Sequence, residues 1–229
     1  MRRTTPGVEF ACAQVSRADV HDPERLVAVL EPLVTDERRA RLLEVIASRL
    51  SSVAVVFDAP YDPHNGAAVV RSCEAFGVQQ LHVVERKGTP FAVANTVARG
   101  TGKWIDVVRH AQAPSLLAWA HDQAIPLVAA HPAGELVPDD LARMGRVAIV
   151  LGNEREGIRE AIACACAARV RVPMRGFAES LNVSVTAAIL LQAATRGRAG
   201  DLGRDARRRL YARGLYLSVA HAEEVLALR

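Results

Sequence analysis

The sequence predicts an α/β protein whose parallel sheet is covered by helices on both faces. Three observations predict it. Short apolar runs at residues 53–57, 81–84, 105–108, 126–130 and 147–151, with a shorter one at 170–172, alternate with helical stretches. Strands separated by helices are joined by crossovers, which place helices over both faces of the sheet. Some strand ends run into turns rich in Asn, Gly and Ser that open a helix, and in such sheets the ligand crevice lies at the strand carboxyl ends. Finally, the chain has 229 residues and is 50% apolar, enough for one sizeable core with helical extensions.

Taken in order, residues 1–21 lack periodicity and read as a loose arm. Asp22-Pro23-Glu24 reads as an N-cap followed by proline at the first helical position, opening a short helix to about residue 33. Thr35 caps a second helix with Leu42, Leu43, Ile46 and Leu50 on one side and Arg38, Arg39, Arg41 and Arg49 on the other. After the first strand comes a helix over 65–76, and the last strong helix runs over 181–195. Beyond Gly200 the chain is arginine-rich and helical again. The predicted plan is an N-terminal arm with helices over 1–50, an α/β domain over 51–198 and a basic helical tail over 199–229.

Composition narrows the function. The formal charge of +4 suits an anionic partner, and among the basic residues only Lys87 and Lys103 are lysines. Aromatic residues make up 4%, which argues against nucleic-acid binding on many stacking platforms. Cys12, Cys73, Cys164 and Cys166 have neither zinc nor redox spacing and read as small core residues in a reducing cytosol. No signal peptide and no membrane-length apolar run is seen, so a cytoplasmic protein is expected.

Three segments could carry chemistry. The first is Asp62-Pro63-His64-Asn65-Gly66-Ala67-Ala68-Val69-Val70-Arg71, with Asn65 read as the N-cap and Arg71 as a charge among small apolar residues. Such an arginine needs a partner: Glu74 at i+3, or a substrate. The second is Leu151-Gly152-Asn153-Glu154-Arg155-Glu156-Gly157-Ile158, where Gly152 permits close backbone approach. The third is Pro173-Met174-Arg175-Gly176-Phe177-Ala178-Glu179-Ser180-Leu181-Asn182-Val183-Ser184-Val185, with Ser180 read as an N-cap and Asn182 as a polar amide in the first turn. Other motifs fail. Gly100-Thr101-Gly102-Lys103 lacks both the first glycine and the Ser/Thr of a P-loop. No Gly-x-Gly-x-x-Gly follows the first strand, so a dehydrogenase is unsupported, and neither Gly-x-Ser-x-Gly nor His-Glu-x-x-His occurs.

In this order and spacing the three segments resemble the motifs of the SpoU-type RNA 2′-O-methyltransferases, over roughly residues 35–217. Within that family the likeness is greatest to members acting on the D-loop guanosine of tRNA. It is carried by Glu37-Arg38-Arg39-Ala40-Arg41, Gly100-Thr101-Gly102-Lys103-Trp104 and Arg209-Leu210-Tyr211-Ala212-Arg213-Gly214-Leu215-Tyr216. The resemblance implies a C-terminal trefoil knot, S-adenosylmethionine as methyl donor, no metal, a homodimer and tRNA as partner, with no DNA or membrane. It implies Arg71, Asn65, Glu154 and Asn182 as the catalytic set. Arg71 would be the base or, more in keeping with a permanently charged guanidinium, a clamp for phosphate and the developing alkoxide. Ala130, His131, Leu151, Gly152, Asn153, Ile158, Met174, Ser180, Leu181 and Val183 would hold the donor. Arg38, Arg39, Arg41, Arg49, Lys103, Arg207, Arg208 and Arg209 would hold RNA. Ribosomal RNA is the alternative substrate, and a non-catalytic RNA-binding module the alternative class.

Overall fold

The computed structural model describes residues 18–86 and 100–228. The arm up to residue 17, with Cys12, lies outside them. The first helices are α1 (Pro23–Leu30) and α2 (Asp36–Ala47). The α/β part follows: β1 (Leu50–Asp58), α3 (Pro63–Ala75), β2 (Val78–Val84), β3 (Asp106–His110), α4 (Ala113–Asp122), β4 (Leu127–Ala130), α5 (Pro138–Arg143), β5 (Val147–Leu151), α6 (Glu160–Ala163), β6 (Ala168–Val170) and α7 (Val183–Thr195). Then come α8 (Arg204–Tyr216) and α9 (Ala222–Ala227). The six strands form one sheet in the order β3-β2-β1-β5-β4-β6, and every pairing is parallel.

The two-residue period of β1 explains the layers. Val53, Val55 and Phe57 share a core with Val69, Val70 and Cys73 of α3 and Leu190, Leu191 and Ala194 of α7. Ala54 and Val56 point the other way, into a core with Leu116 and Ala120 of α4 and Ile162 of α6. A strand buried on both faces must be apolar throughout, which is why residues 53–57 read as a continuous apolar run.

The predicted caps hold at Asp22 and Thr35, which accept N–H bonds from Glu24 and Arg38. Two others move. Asp62 caps α3, accepting from the His64 N–H at 2.8 Å with Pro63 at the first helical position, so Asn65 sits inside the first turn. Asn182, not Ser180, caps α7, accepting from the Ser184 N–H at 2.8 Å. Of the described cysteines only Cys73 is buried, and Cys164 is exposed.

The terminal helices form one layer. Leu26 and Leu30 of α1, Leu42 and Ile46 of α2 and Leu210, Tyr211 and Leu215 of α8 share a separate apolar cluster with α9. Two arginines expected on basic faces are interior. Arg49 lies past the end of α2, is 2% exposed and pairs with Glu74 at 3.2 Å, so it is removed from the RNA-binding set. Glu74 is therefore Arg49's partner, not Arg71's. Arg213 is 5% exposed and bridges Asp106 of β3 at 2.8 Å and Asp19 at 3.5 Å, tying the helical layer to the sheet edge.

His82 of β2 is buried, with Nδ1 2.9 Å from His110 Nε2 and its ring centroid 3.6 Å from that of Trp119. Burial, and then the neighbouring His110, push its pKa down to about 3, and burial lowers that of His110. Folded values below the unfolded value of 6.5 mean that the unfolded chain binds more protons as pH falls through that value. Stability is thus full above that pH and is lost below it, by up to about 1.4 kcal/mol per pH unit from His82, with a further loss from His110. Urea denaturation between about pH 8 and pH 5 should show this loss, with a clearly shallower slope in His82→Leu; a wild-type midpoint that does not move with pH excludes the histidine pair as the source.

Candidate functional site

A cavity of about 910 Å³ opens at the carboxyl ends of β4, β5 and β6, where Ala130, Leu151 and Val170 line it. The start of α7 closes one side through Val183 and Thr186. Every residue expected to hold the donor lines this cavity: Ala130, His131, Leu151, Gly152, Asn153, Ile158, Met174, Ser180, Leu181 and Val183. The structure adds others, among them Pro132, Arg171, Pro173, Glu179 and Thr186. Thr186 lies four residues after Asn182, one helical turn on, so helical spacing could have found it. Arg171 follows β6, and nothing in the sequence pattern marks it.

The loop after β5 is closed on itself. The Asn153 and Gly157 backbones exchange hydrogen bonds of 3.1 Å, and Asn153 Oδ1 accepts from the N–H groups of Arg155 at 3.0 Å and Glu156 at 2.8 Å. Gly157 takes a φ of +71°, a left-handed conformation that favours glycine. Gly152 is required by close approach: a Cβ there would lie 2.4 Å from the Gly157 carbonyl carbon and 2.6 Å from the Ile158 nitrogen. The neighbour that excludes a side chain is this chain's own backbone.

This loop presents Glu154 to the first turn of α3. Asn65, 9% exposed, donates through Nδ2 to Glu154 Oε1 and accepts through Oδ1 from Asn182 Nδ2 at 3.0 Å. Asn182 Oδ1 accepts in turn from the Ser184 hydroxyl at 2.6 Å. A single hydrogen-bonded chain thus joins all three segments at the cavity rim. Arg71 is not part of it. Six residues at 3.6 per turn put it roughly 120° around α3 from Asn65. It is exposed, lines no part of the cavity and has no hydrogen-bond or ion-pair partner among the described residues.

The sequence reading missed two further features. Asp58, fully buried at the end of β1, accepts from the Arg159 N–H and Nε at 2.8 Å each, fastening β1 to the start of α6. Asp58 is fully enclosed while the Arg159 side chain is 36% exposed, so solvent screens one end of the pair. The two residues lie 101 positions apart, beyond any local pattern. The other is the side-chain Nδ2 of Asn153, buried at the cavity wall with no acceptor among the described residues.

The remaining basic residues stay at the surface. Arg38 and Lys103 lie over Trp104 at 5.9 Å and 5.6 Å, and Arg38 Nε donates to Ser218. Arg39 pairs with Asp36, Arg41 with Glu44 and Arg208 with Glu24, all on solvent-facing positions where such pairs are weak. Arg207 and Arg209 are exposed.

Fold and cavity together define a class: an open parallel α/β protein with a cavity at the carboxyl ends of its strands, where such sheets place a ligand. The family model described as the SpoU rRNA Methylase family matches residues 52–192. A tRNA (guanosine(18)-2′-O)-methyltransferase from Aquifex aeolicus is 30% identical over 171 residues, 74% of this chain and 81% of that protein. The enzyme of the same name from Escherichia coli strain K12 is 29% identical over 70% of each chain. Among solved structures, a TrmH/SpoU tRNA modifying enzyme of A. aeolicus has a TM-score of 0.71 at 26% identity, covering 81% of this chain and 98% of that one. The SpoU methyltransferase AviRb of Streptomyces viridochromogenes, in complex with AdoMet, has a TM-score of 0.58 at 26% identity, covering 67% of this chain and 63% of that one. The chain belongs to the SpoU methylase family, as an S-adenosylmethionine-dependent RNA 2′-O-methyltransferase. Among the described residues no helix is long and apolar enough to cross a membrane.

Proposed function

We propose that the enzyme methylates the ribose 2′-hydroxyl of the D-loop guanosine of tRNA, position 18 in the names of its relatives. The observation that carries the reading is the Glu154–Asn65–Asn182 chain at the rim of the strand-end cavity. The cavity suits the methyl donor. Leu151, Ile158 and Leu181 offer apolar surface to a purine, and the orphan Asn153 Nδ2 offers a donor to a carboxylate or hydroxyl.

When bound, S-adenosylmethionine supplies a methyl group already activated by a sulfonium leaving group. The chain's task is to align the ribose oxygen and handle its proton. Asn65, its amide orientation locked by Glu154 and Asn182, presents Oδ1 to accept from the 2′-hydroxyl. Arg71 stays charged, grips an RNA phosphate and stabilises the negative charge that develops on the ribose oxygen, whose proton passes to solvent. Since Arg71 lies off the protomer's own cavity, a second copy must bring it there, so the working form is a homodimer. Close backbone pairing of the β6 end with the loop after β4 is in keeping with the expected trefoil knot. The His131 N–H bonds to Val170 O and the Arg171 N–H to Leu136 O, both at 2.9 Å, and Gly134 lies so close to this strand that a Cβ would be 2.6 Å from the Val170 carbonyl carbon.

Mapping of 2′-O-methyl positions in total RNA from cells with and without the protein tests the substrate. A methyl group gained only at the tRNA D-loop guanosine is expected; one gained only on ribosomal RNA rejects the tRNA reading.

The layer of helices before β1 and after α7, with Lys103 beside it, would grip the tRNA body through Arg38, Arg39, Arg41, Lys103, Arg207, Arg208 and Arg209, leaving residues 51–198 to select the ribose. Phosphate contacts set affinity without choosing the base. Replacing Arg207, Arg208 and Arg209 by Ala should weaken tRNA binding and flatten its salt dependence by about 0.7–0.9 per lost contact, sparing donor binding and the methylated position. Unchanged affinity across a salt series would assign these residues to a solvated helix face only.

A further inference from the structure

Tyr61 carries two guanidinium groups over its ring: Arg86 Cζ lies 3.9 Å and Arg155 Cζ 4.6 Å from the ring centroid. The tyrosine hydroxyl donates to Glu156 Oε1 at 3.4 Å. The three residues come from three strand ends. Tyr61 lies in the turn from β1 to α3, Arg86 follows β2, and Arg155 sits in the loop after β5. In the sheet β1 lies between β2 and β5, so the stack covers the carboxyl ends of three adjacent strands, while the donor cavity occupies β5, β4 and β6.

The stack and the catalytic chain share their supports. The closed loop after β5 sends Glu154 to Asn65 and the next residue, Arg155, to Tyr61. Tyr61 directly precedes Asp62, the cap of the helix that carries Asn65. The stack and Asn65 are therefore built on the same two segments, the β1–α3 turn and the loop after β5. Each guanidinium is attracted to the ring face, which holds both cations on one platform. The guanidinium fork matches phosphate oxygens, and the ring limits the rotamers that a free arginine would sample.

We infer that Arg86 and Arg155, aligned by Tyr61, form a phosphate clamp for the RNA backbone beside the reactive ribose. Tyr61 is a positioning residue; the two arginines touch the RNA. The inference rests on the RNA 2′-O-methylation reading of the neighbouring site.

The test uses the full-length chain and a tRNA transcript with a D-loop guanosine. Anisotropy titrations over a salt series, calorimetry with S-adenosylmethionine and steady-state methylation are run on wild type, Arg155→Ala, Tyr61→Leu and Tyr61→Phe. Arg155→Ala should lower the salt slope by about 0.7–0.9, and Tyr61→Leu by about twice that with roughly tenfold weaker RNA binding. The loss should fall on KM for RNA, donor affinity should hold, and Tyr61→Phe, which keeps the ring, should recover most of the affinity. Wild-type RNA affinity and salt slope in Tyr61→Leu overturn the clamp. A parallel fall in donor affinity also overturns it, because the stack would then only shape the turn before α3. Wild-type protein that methylates no RNA rejects the underlying reading instead, and is seen before any variant is compared.

Discussion

Arg71→Ala should lose methyl transfer by about two to three orders of magnitude, the usual effect of removing one donor aimed at a developing oxyanion. Its exposed side chain supports no part of the fold, so stability and S-adenosylmethionine affinity should hold. Arg71→Lys should be nearly as inactive, because the ammonium keeps the charge but not the fork that spans a phosphate. A stronger form of the test uses the separation of Arg71 from the Asn65 chain. If each active site takes Arg71 from one subunit and Asn65, Glu154 and Asn182 from the other, Arg71→Ala and Asn65→Ala are both inactive alone. Mixed and reassembled, they should regain activity in heterodimers that hold one intact site. Single-turnover methylation of tRNA by the mixture reads this directly. Absence of recovery in heterodimers confirmed by mass places Arg71 and Asn65 in one subunit's site, and near-normal turnover in Arg71→Ala removes the residue from catalysis.

Gly152→Val should abolish measurable donor binding. The new Cβ would enter the space of the Gly157 and Ile158 backbone, at 2.4 Å and 2.6 Å, where no side chain can swing away. The loop must move, taking with it the Asn153 turn and the Glu154 contact to Asn65. Overpacking of this kind costs about 1–3 kcal/mol of stability, and Gly152→Ala should already show much of it. Gly145 is the control: a Cβ there meets nothing within 4 Å, so Gly145→Ala should leave both stability and donor affinity unchanged. Calorimetry and thermal melts on the three variants separate a local loss of the site from global unfolding. Wild-type donor affinity in a folded Gly152→Val protein would exclude this loop from the donor site.

Much of this molecule was legible in its sequence. Five strand runs, the proline-opened helix at Pro23 and the Thr35 cap sit where local signals placed them, because period, caps and turn residues act over a few positions, while the last strand ends at Val170 where it was expected to begin. Local signals also misplaced two caps. Asp62 with Pro63 outranks Asn65, and Asn182 outranks Ser180, since several side chains near each helix start can cap and packing chooses among them.

Charge was the least legible property. Arg49 and Arg213 look like their arginine-rich neighbours, yet each is enclosed and paired with carboxylates of other elements, Glu74 for one and Asp19 and Asp106 for the other. Only the three-dimensional arrangement could show that Arg49 and Arg213 are structural while Arg38, Arg207 and Arg209 face outward.

The sequence by itself determined the α/β plan and the three segments that meet at the strand-end cavity, since each is a property of one strand end and the turn that follows it. Tertiary structure decided what depends on partners far along the chain. It assembled the helices before β1 and those after α7 into one layer, fastened Asp58 to Arg159, and linked Asn182, Asn65 and Glu154 while leaving Arg71 outside. The physical reason is reach: a turn or cap is set by residues a few positions apart, whereas these contacts join groups from 89 to 117 positions apart at the site, brought together only by the order of strands in the sheet.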